Sequence, residues 1–133
     1  MNTMPDCTVI PVLRYPDVAQ AIQWLCDTFG FKERWRIADH RAQLEYDGGV
    51  VVVAELTGKN TGNDHSVLLR VKDVHAHCEH ARAKGAEILQ EPTDHFYGER
   101  QYAAKDIGGH SWTFSQTIKI LSPEDWGATS NNL

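Results

Sequence analysis

The sequence predicts an α+β fold made of two βαβββ modules in tandem, and three observations predict it. The run Leu13-Arg14-Tyr15-Pro16-Asp17-Val18 returns as Leu69-Arg70-Val71-Lys72-Asp73-Val74. The flanks of the two copies also match. An apolar run precedes each, Val9–Leu13 and Val67–Val71, and a helix-length segment follows each, closed by Gly30 or Gly85. Strand-like segments joined by glycine turns complete both copies, at Asp47-Gly48-Gly49 and at Asp106-Ile107-Gly108-Gly109. A segment repeated with its surroundings is one supersecondary unit used twice. Two copies closed on a shared core fit better than an open solenoid, which needs more.

The elements follow in order. Thr8–Leu13 is rich in β-branched and apolar residues and reads as a strand, stopped by Pro16. Asp17 can cap a helix in which Val18, Ile22, Leu25 and Phe29 form one apolar stripe, ended at Gly30. Lys32–Ala38 and Arg41–Tyr46 alternate as strands around a turn at Asp39-His40. Val50–Leu56 is continuously apolar apart from Glu55, as in a strand covered on both faces. Polar residues with Gly58 and Gly62 make the linker. The second module repeats the order: a strand at Ser66–Val71, a helix at Asp73–Lys84, then strands at Ala86–Gln90, Arg100–Lys105 and His110–Gln116, with Glu91–Phe96 as a loop around Pro92. One domain, 1–133, is expected: module one 7–57, linker 58–64, module two 65–117 and tail 118–133. Trp126 is costly to leave in water, so part of the tail is expected to dock.

Of the 133 residues, 41% are hydrophobic and 23% charged, as in a soluble globular protein. The net charge of −5 and the lack of a basic cluster argue against a nucleic-acid partner. No apolar run reaches the roughly 18 residues of a membrane span, and the first residues lack the pattern of a signal peptide. Cys7, Cys26 and Cys78 have no framework spacing, which suggests free thiols and a cytoplasmic location.

Two further segments are specific: Tyr97-Gly98-Glu99-Arg100, and Lys105-Asp106-Ile107-Gly108-Gly109-His110-Ser111-Trp112-Thr113-Phe114. With the opening Val9-Ile10-Pro11-Val12-Leu13-Arg14 and the Trp24-Leu25 to Gly30-Phe31 stretch, they make the chain resemble the vicinal oxygen chelate superfamily, the glyoxalase, bleomycin-resistance and extradiol dioxygenase group. The resemblance spans about residues 7–117. It implies curled sheets forming an open barrel around a concave trough, and a homodimer with clefts at or near the subunit interface. In the family's enzymes the trough holds a divalent metal that acts as a Lewis acid on substrate oxygens.

The metal positions the resemblance implies fall here on Ile10, Glu55, Ser66 and Thr113. Isoleucine cannot ligate, hydroxyls are poor ligands for zinc, nickel or iron, and one carboxylate cannot hold a metal alone. His65 lies one residue from a useful position, hence on the opposite face of a regular strand. No metal or other cofactor is therefore expected. The alternative is a shifted metal set of Glu55, His65 and His110, with His95 as a further candidate. His77 and His80, one helical turn apart, could also share a metal, although charged neighbours suggest a solvated face.

The residues read as ligand-binding are Trp35, Glu55, Ser66, Arg100, Tyr102 and Thr113. Trp35 offers a ring to a flat guest or packs in the core. Glu55 is a trough carboxylate or a paired edge residue. Arg100 can clamp an anion or pair with Glu99 or Glu91. His110 fits a role in bonding its turn better than catalysis. No phosphate loop, nucleophile elbow or Cys-x-x-Cys pair supports other chemistry. The leading expectation is metal-free binding of a small organic molecule, in the manner of bleomycin-resistance sequestration. The alternatives are a metal-dependent lyase, isomerase or dioxygenase, and an interaction module without a small ligand.

Overall fold

A computed structural model describes residues 4–58 and 65–130; most of the linker, 59–64, lies outside the described residues. Module one runs β1 (Val12–Tyr15), α1 (Val18–Phe29), β2 (Lys32–Ile37), β3 (Arg41–Tyr46) and β4 (Gly49–Glu55). Module two runs β5 (Ser66–Arg70), α2 (Val74–Ala83), β6 (Glu87–Asp94), β7 (Glu99–Lys105) and β8 (Ser111–Thr117). A 3-10 turn, Pro123–Trp126, lies in the tail. The sheets have the orders β1-β4-β3-β2 and β5-β8-β7-β6. In each, the first strand lies parallel to the last and the other pairs are antiparallel.

The repeated Asp-Val does the same work twice. Asp17 accepts from the Gln20 amide at 3.0 Å and Asp73 from the Ala76 amide at 3.1 Å, so each caps its helix. Gly30 stops α1 at φ 89°, in the left-handed region. The Asp47-Gly48 turn has φ of 46° and 89°, as a tight hairpin between right-twisting strands requires.

Two boundaries differ from expectation by more than one residue. The first strand begins at Val12 rather than Thr8, because Pro11 has no amide to donate; only its carbonyl joins the ladder, accepting from Val52 N at 2.9 Å. Residues 91–94 of the expected loop around Pro92 are instead part of β6. That strand is the sheet edge, and its register shifts between Gln90 and Thr93, so a missing donor is tolerated there.

Each sheet has one helix-covered face and one open face. The helix-covered faces of both modules feed one core, which includes Leu13, Tyr15 and Val53 from the first and Tyr102, Trp112 and Phe114 from the second. Phe29 of α1 packs edge-on against both Trp112 and Phe114. Polar contacts tie the same seam. Asp106, buried, accepts from Tyr15 Oη (2.5 Å), Trp112 Nε1 (2.9 Å) and the amides of Gly108 and His110 (2.9 Å each). His110 Nε2 donates to the Arg14 carbonyl at 2.8 Å. His77 and His80 donate to the carbonyls of Phe29 and Asp27, both at 3.0 Å, and so satisfy the open end of α1.

The tail docks. Trp126 packs against Phe96 and Tyr97, with ring centroids 6.1 and 5.7 Å apart. The Gly98 carbonyl accepts from the amides of Ile118 and Lys119.

Candidate functional site

Strand alternation places a defined set of side chains on each open face. On the first sheet, Val12, Val52, Gln43 and Trp35 stand in register across all four strands. Together with Ile10 and Arg41 they line a cleft of about 360 Å³. Val12 and Ile37 are 44% and 60% exposed, so this is an apolar surface in water. Gln43 is buried at its centre and accepts a hydrogen bond from Arg34. The β-bulge between Glu33 and Trp35 turns that stretch of β2 so that Arg34 reaches Gln43 beside the indole.

The open face of the second sheet is mainly polar, with the exposed Leu68 opposite Thr113. Ser66 Oγ and Thr113 Oγ1 lie 3.2 Å apart and bond to each other. One row on, Tyr97 Oη donates to Gln101 Oε1 (3.0 Å), Gln101 Nε2 to Ser115 Oγ (3.0 Å), and Ser115 Oγ to Glu99 Oε1 (2.6 Å). Tyr97, Glu99 and Arg100 stand in a segment the sequence already marks, but Gln101 and Ser115 do not; the alternation of Glu99, Gln101 and Ala103 opposite Ser111, Thr113 and Ser115 is the signal for them. Beside this chain, His95 stacks on Tyr97 at 5.0 Å, and its buried Nε2 has no partner among the described residues.

Three of the expected site residues thus stand on open faces: Trp35 on the first sheet, Ser66 and Thr113 on the second. Glu55, Arg100 and Tyr102 stand elsewhere. Glu55 shares the alternation of Val51 and Val53, away from the open face, and its exposed carboxylate lies 3.1 Å from His40 Nδ1. Arg14 donates to the Glu55 carbonyl rather than its carboxylate. Arg100 pairs with Asp94, its neighbour across the β6–β7 ladder, through contacts of 2.6 and 3.2 Å, instead of with Glu99 or Glu91. The Arg100 guanidinium holds the Asp94 carboxyl below its usual range. Tyr102 is wholly buried, and its hydroxyl meets His77 Nδ1 at 2.5 Å. Burial raises the Tyr102 phenol and lowers the His77 imidazole, the latter helped by nearby His80 and opposed by the Phe29 carbonyl.

The shifted metal set does not assemble. His65 Nε2 lies 3.1 Å from His110 Nδ1, but Glu55 is engaged with His40. Among the described residues no three of His, Cys, Asp and Glu converge as a metal site. Of the four positions the resemblance gives a metal, Ile10 bears an alkyl group, Ser66 and Thr113 bear hydroxyls bonded to each other, and Glu55 is a lone carboxylate turned to His40, a set that does not fit a divalent cation.

The sequence profile of the Glyoxalase/Bleomycin resistance protein/Dioxygenase superfamily matches residues 8–114. The chain belongs to that superfamily. Among solved structures of this glyoxalase superfamily fold, it is similar to TioX from Micromonospora sp. ML1, with 30% identity and a TM-score of 0.72 over 87% of this chain and 100% of that one. It also resembles a glyoxalase/bleomycin resistance protein/dioxygenase from Nocardioides, at 15% identity and TM-score 0.70 over 92% and 90% of the two chains. A family enzyme from Burkholderia phytofirmans PsJN shares 14% identity, with TM-score 0.71 over 82% and 97%. The last two likenesses speak to fold alone. No curated protein sequence matches the chain. No helix among the described residues is long and apolar enough to cross a membrane.

Proposed function

We propose that this superfamily member is a cytoplasmic, metal-free binding protein that sequesters a small, flat organic molecule, in the manner of bleomycin-resistance proteins. The observation that carries the reading is the Ser66–Thr113 hydrogen bond. Two positions where the family's enzymes would place metal ligands hold neutral hydroxyls that satisfy each other, and a third, Ile10, lines an apolar cleft with Trp35. Such a surface suits hydrophobic burial and ring stacking, with a few polar groups to orient the guest. Trp35 supplies the ring, Arg41 a cation at the rim, and Gln43 a buried amide. Ser66 and Thr113 offer hydroxyls on the second open face. In a homodimer the open face of one protomer would be covered by its partner, which fits the exposed Val12, Ile37 and Leu68.

The test is a titration with bleomycin and a panel of flat aromatic antibiotics, followed by calorimetry and by tryptophan fluorescence. Saturable binding that Trp35→Ala weakens about tenfold or more supports the reading. Metal analysis of the purified protein belongs beside it. A stoichiometric metal that disappears in Glu55→Ala would replace the reading with the metal-dependent one.

A further inference from the structure

A cleft of about 660 Å³ lies at the seam between the modules, where Glu45 ends the open-face row of Arg41 and Gln43 and Arg70 ends that of Ser66 and Leu68. One wall is Lys32 with the end of β3 and its turn, bearing Glu45 and Asp47. The other is the end of β5 and the start of α2, bearing Arg70 and Lys72. Among the described residues, no ion pair or hydrogen bond joins these cations to these acids, although Lys32 and Glu45 are partners in the β2–β3 ladder. Elsewhere, opposite charges that share a surface do meet: Arg36 with Glu33, Arg82 with Glu91, Arg100 with Asp94. Arg70 and Lys72 face Glu45 and Asp47 across one space, with Lys32 beside the acids. Asp73, at its rim, is already occupied in capping α2.

The floor is aromatic. The Tyr46 and His77 rings meet edge to face at 6.2 Å. Both His77 nitrogens are engaged, with Tyr102 and the Phe29 carbonyl, so the imidazole presents ring surface to the cleft rather than a donor. An Arg70–Lys72 wall, a facing wall with Glu45 and Asp47, and rings between them match a guest that carries a carboxylate, an ammonium and an apolar group together.

We propose that this seam cleft binds a zwitterion of the α-amino acid class. The carboxylate would lie on Arg70 and Lys72, the ammonium between Glu45 and Asp47, and the side group over Tyr46 and His77. Exposed ion pairs are individually weak, so both charged ends are needed for a measurable affinity.

The experiment is an amide-resolved NMR titration of the full chain with phenylalanine, 3-phenylpropionate and phenethylamine. Phenylalanine is expected to shift the amides of residues 30–32, 45–47 and 71–77, and to bind about tenfold tighter than either single-charge probe. Arg70→Ala and Asp47→Asn are each expected to weaken it about tenfold, while Trp35→Ala leaves it unchanged. Equal affinity for 3-phenylpropionate would mean a simple anion site and overturn the proposal. So would a lack of shifts at saturating phenylalanine, or shifts abolished by Trp35→Ala, which would put the guest on the open face instead. The Trp35 comparison keeps this outcome separate from that of the sequestration reading.

Discussion

The two modules share one backbone plan and carry opposite surfaces on their open faces. The first presents Val12, Trp35 and Ile37; the second presents Ser66, Thr113, Gln101 and Glu99 around a single exposed leucine, Leu68. Their helix-covered faces, in contrast, merge into one apolar core. The duplication therefore fixes what must pack and leaves free what faces outward. Folding constraints act on the covered face, where each lost methylene or buried hydrogen bond costs stability. The open faces are where the two halves diverged, so specificity is to be sought there and at the seam. One fold hosting many functions is the general form of this separation.

The sharpest way to break the comparison is at the seam that welds the modules. Asp106→Ala removes the acceptor for Tyr15 and Trp112 and for two turn amides. Two buried donors left unpaired cost about 1–3 kcal/mol each. Urea denaturation is expected to show a loss on the order of 3–5 kcal/mol. A loss below about 1 kcal/mol would mean that the apolar core alone holds the halves together.

The next effect belongs to the tail. Gly98 has φ 89°, and a Cβ there would stand 2.2 Å from the Lys119 carbonyl oxygen. Gly98→Ala is expected to lift the tail from the β6–β7 hairpin and cost roughly 1–3 kcal/mol. A red shift of Trp126 emission would report the release; unchanged emission with unchanged stability would count against the docked tail.

These two residues also show how much was legible. Gly98 and Asp106 both lie in the motifs that made the resemblance, yet the sequence marked Asp106 only as a turn residue and gave Gly98 no role of its own. The fold was readable because it rests on local signals: the paired Asp-Val caps, the Gly30 stop, the Asp47-Gly48 hairpin. Ser66 and Thr113 follow from the resemblance and stand on an open face, whereas the sequence leaves Trp35 between guest and core, and the β2–β3 register puts it on the open side. The reading of Glu55, Arg100 and Tyr102 depended on partners distant in sequence or on strand parity at an element's end. Glu55 turns to His40, Arg100 to Asp94, and Tyr102 to His77. Those pairings are decided by how β3, β6 and α2 come to rest, which no single segment encodes.

A moderate effect is expected from pH. His77 sits between Tyr102 and the Phe29 carbonyl, and burial lowers its pKa from the ordinary 6.5. The folded state thus binds this proton less readily than the unfolded chain. Its contribution is complete above 6.5 and is lost as pH falls through the depressed folded-state value. Denaturation midpoints between about pH 7 and about pH 5 should decline on acidification, and His77→Gln should flatten that decline. An equal slope in both proteins would exclude His77 as its source.

The smallest effect on stability separates the open face from the core most cleanly. Ser66 and Thr113 bond to each other on an exposed surface, where exchange with water is nearly even. Ser66→Ala should change stability by no more than about 0.5 kcal/mol. If a guest rests on this face, the same substitution frees the Thr113 hydroxyl to rotate, and affinity for the guest should change severalfold without a change in denaturation midpoint. Tyr102→Phe, on the covered face of the same sheet, should do the reverse. It leaves His77 Nδ1 without its donor and lowers stability by about 1–3 kcal/mol, while affinity stays the same. Calorimetry and denaturation on the two variants read both quantities. Affinity falling with Tyr102→Phe and not with Ser66→Ala would place the guest against the core and undo the division between the two faces.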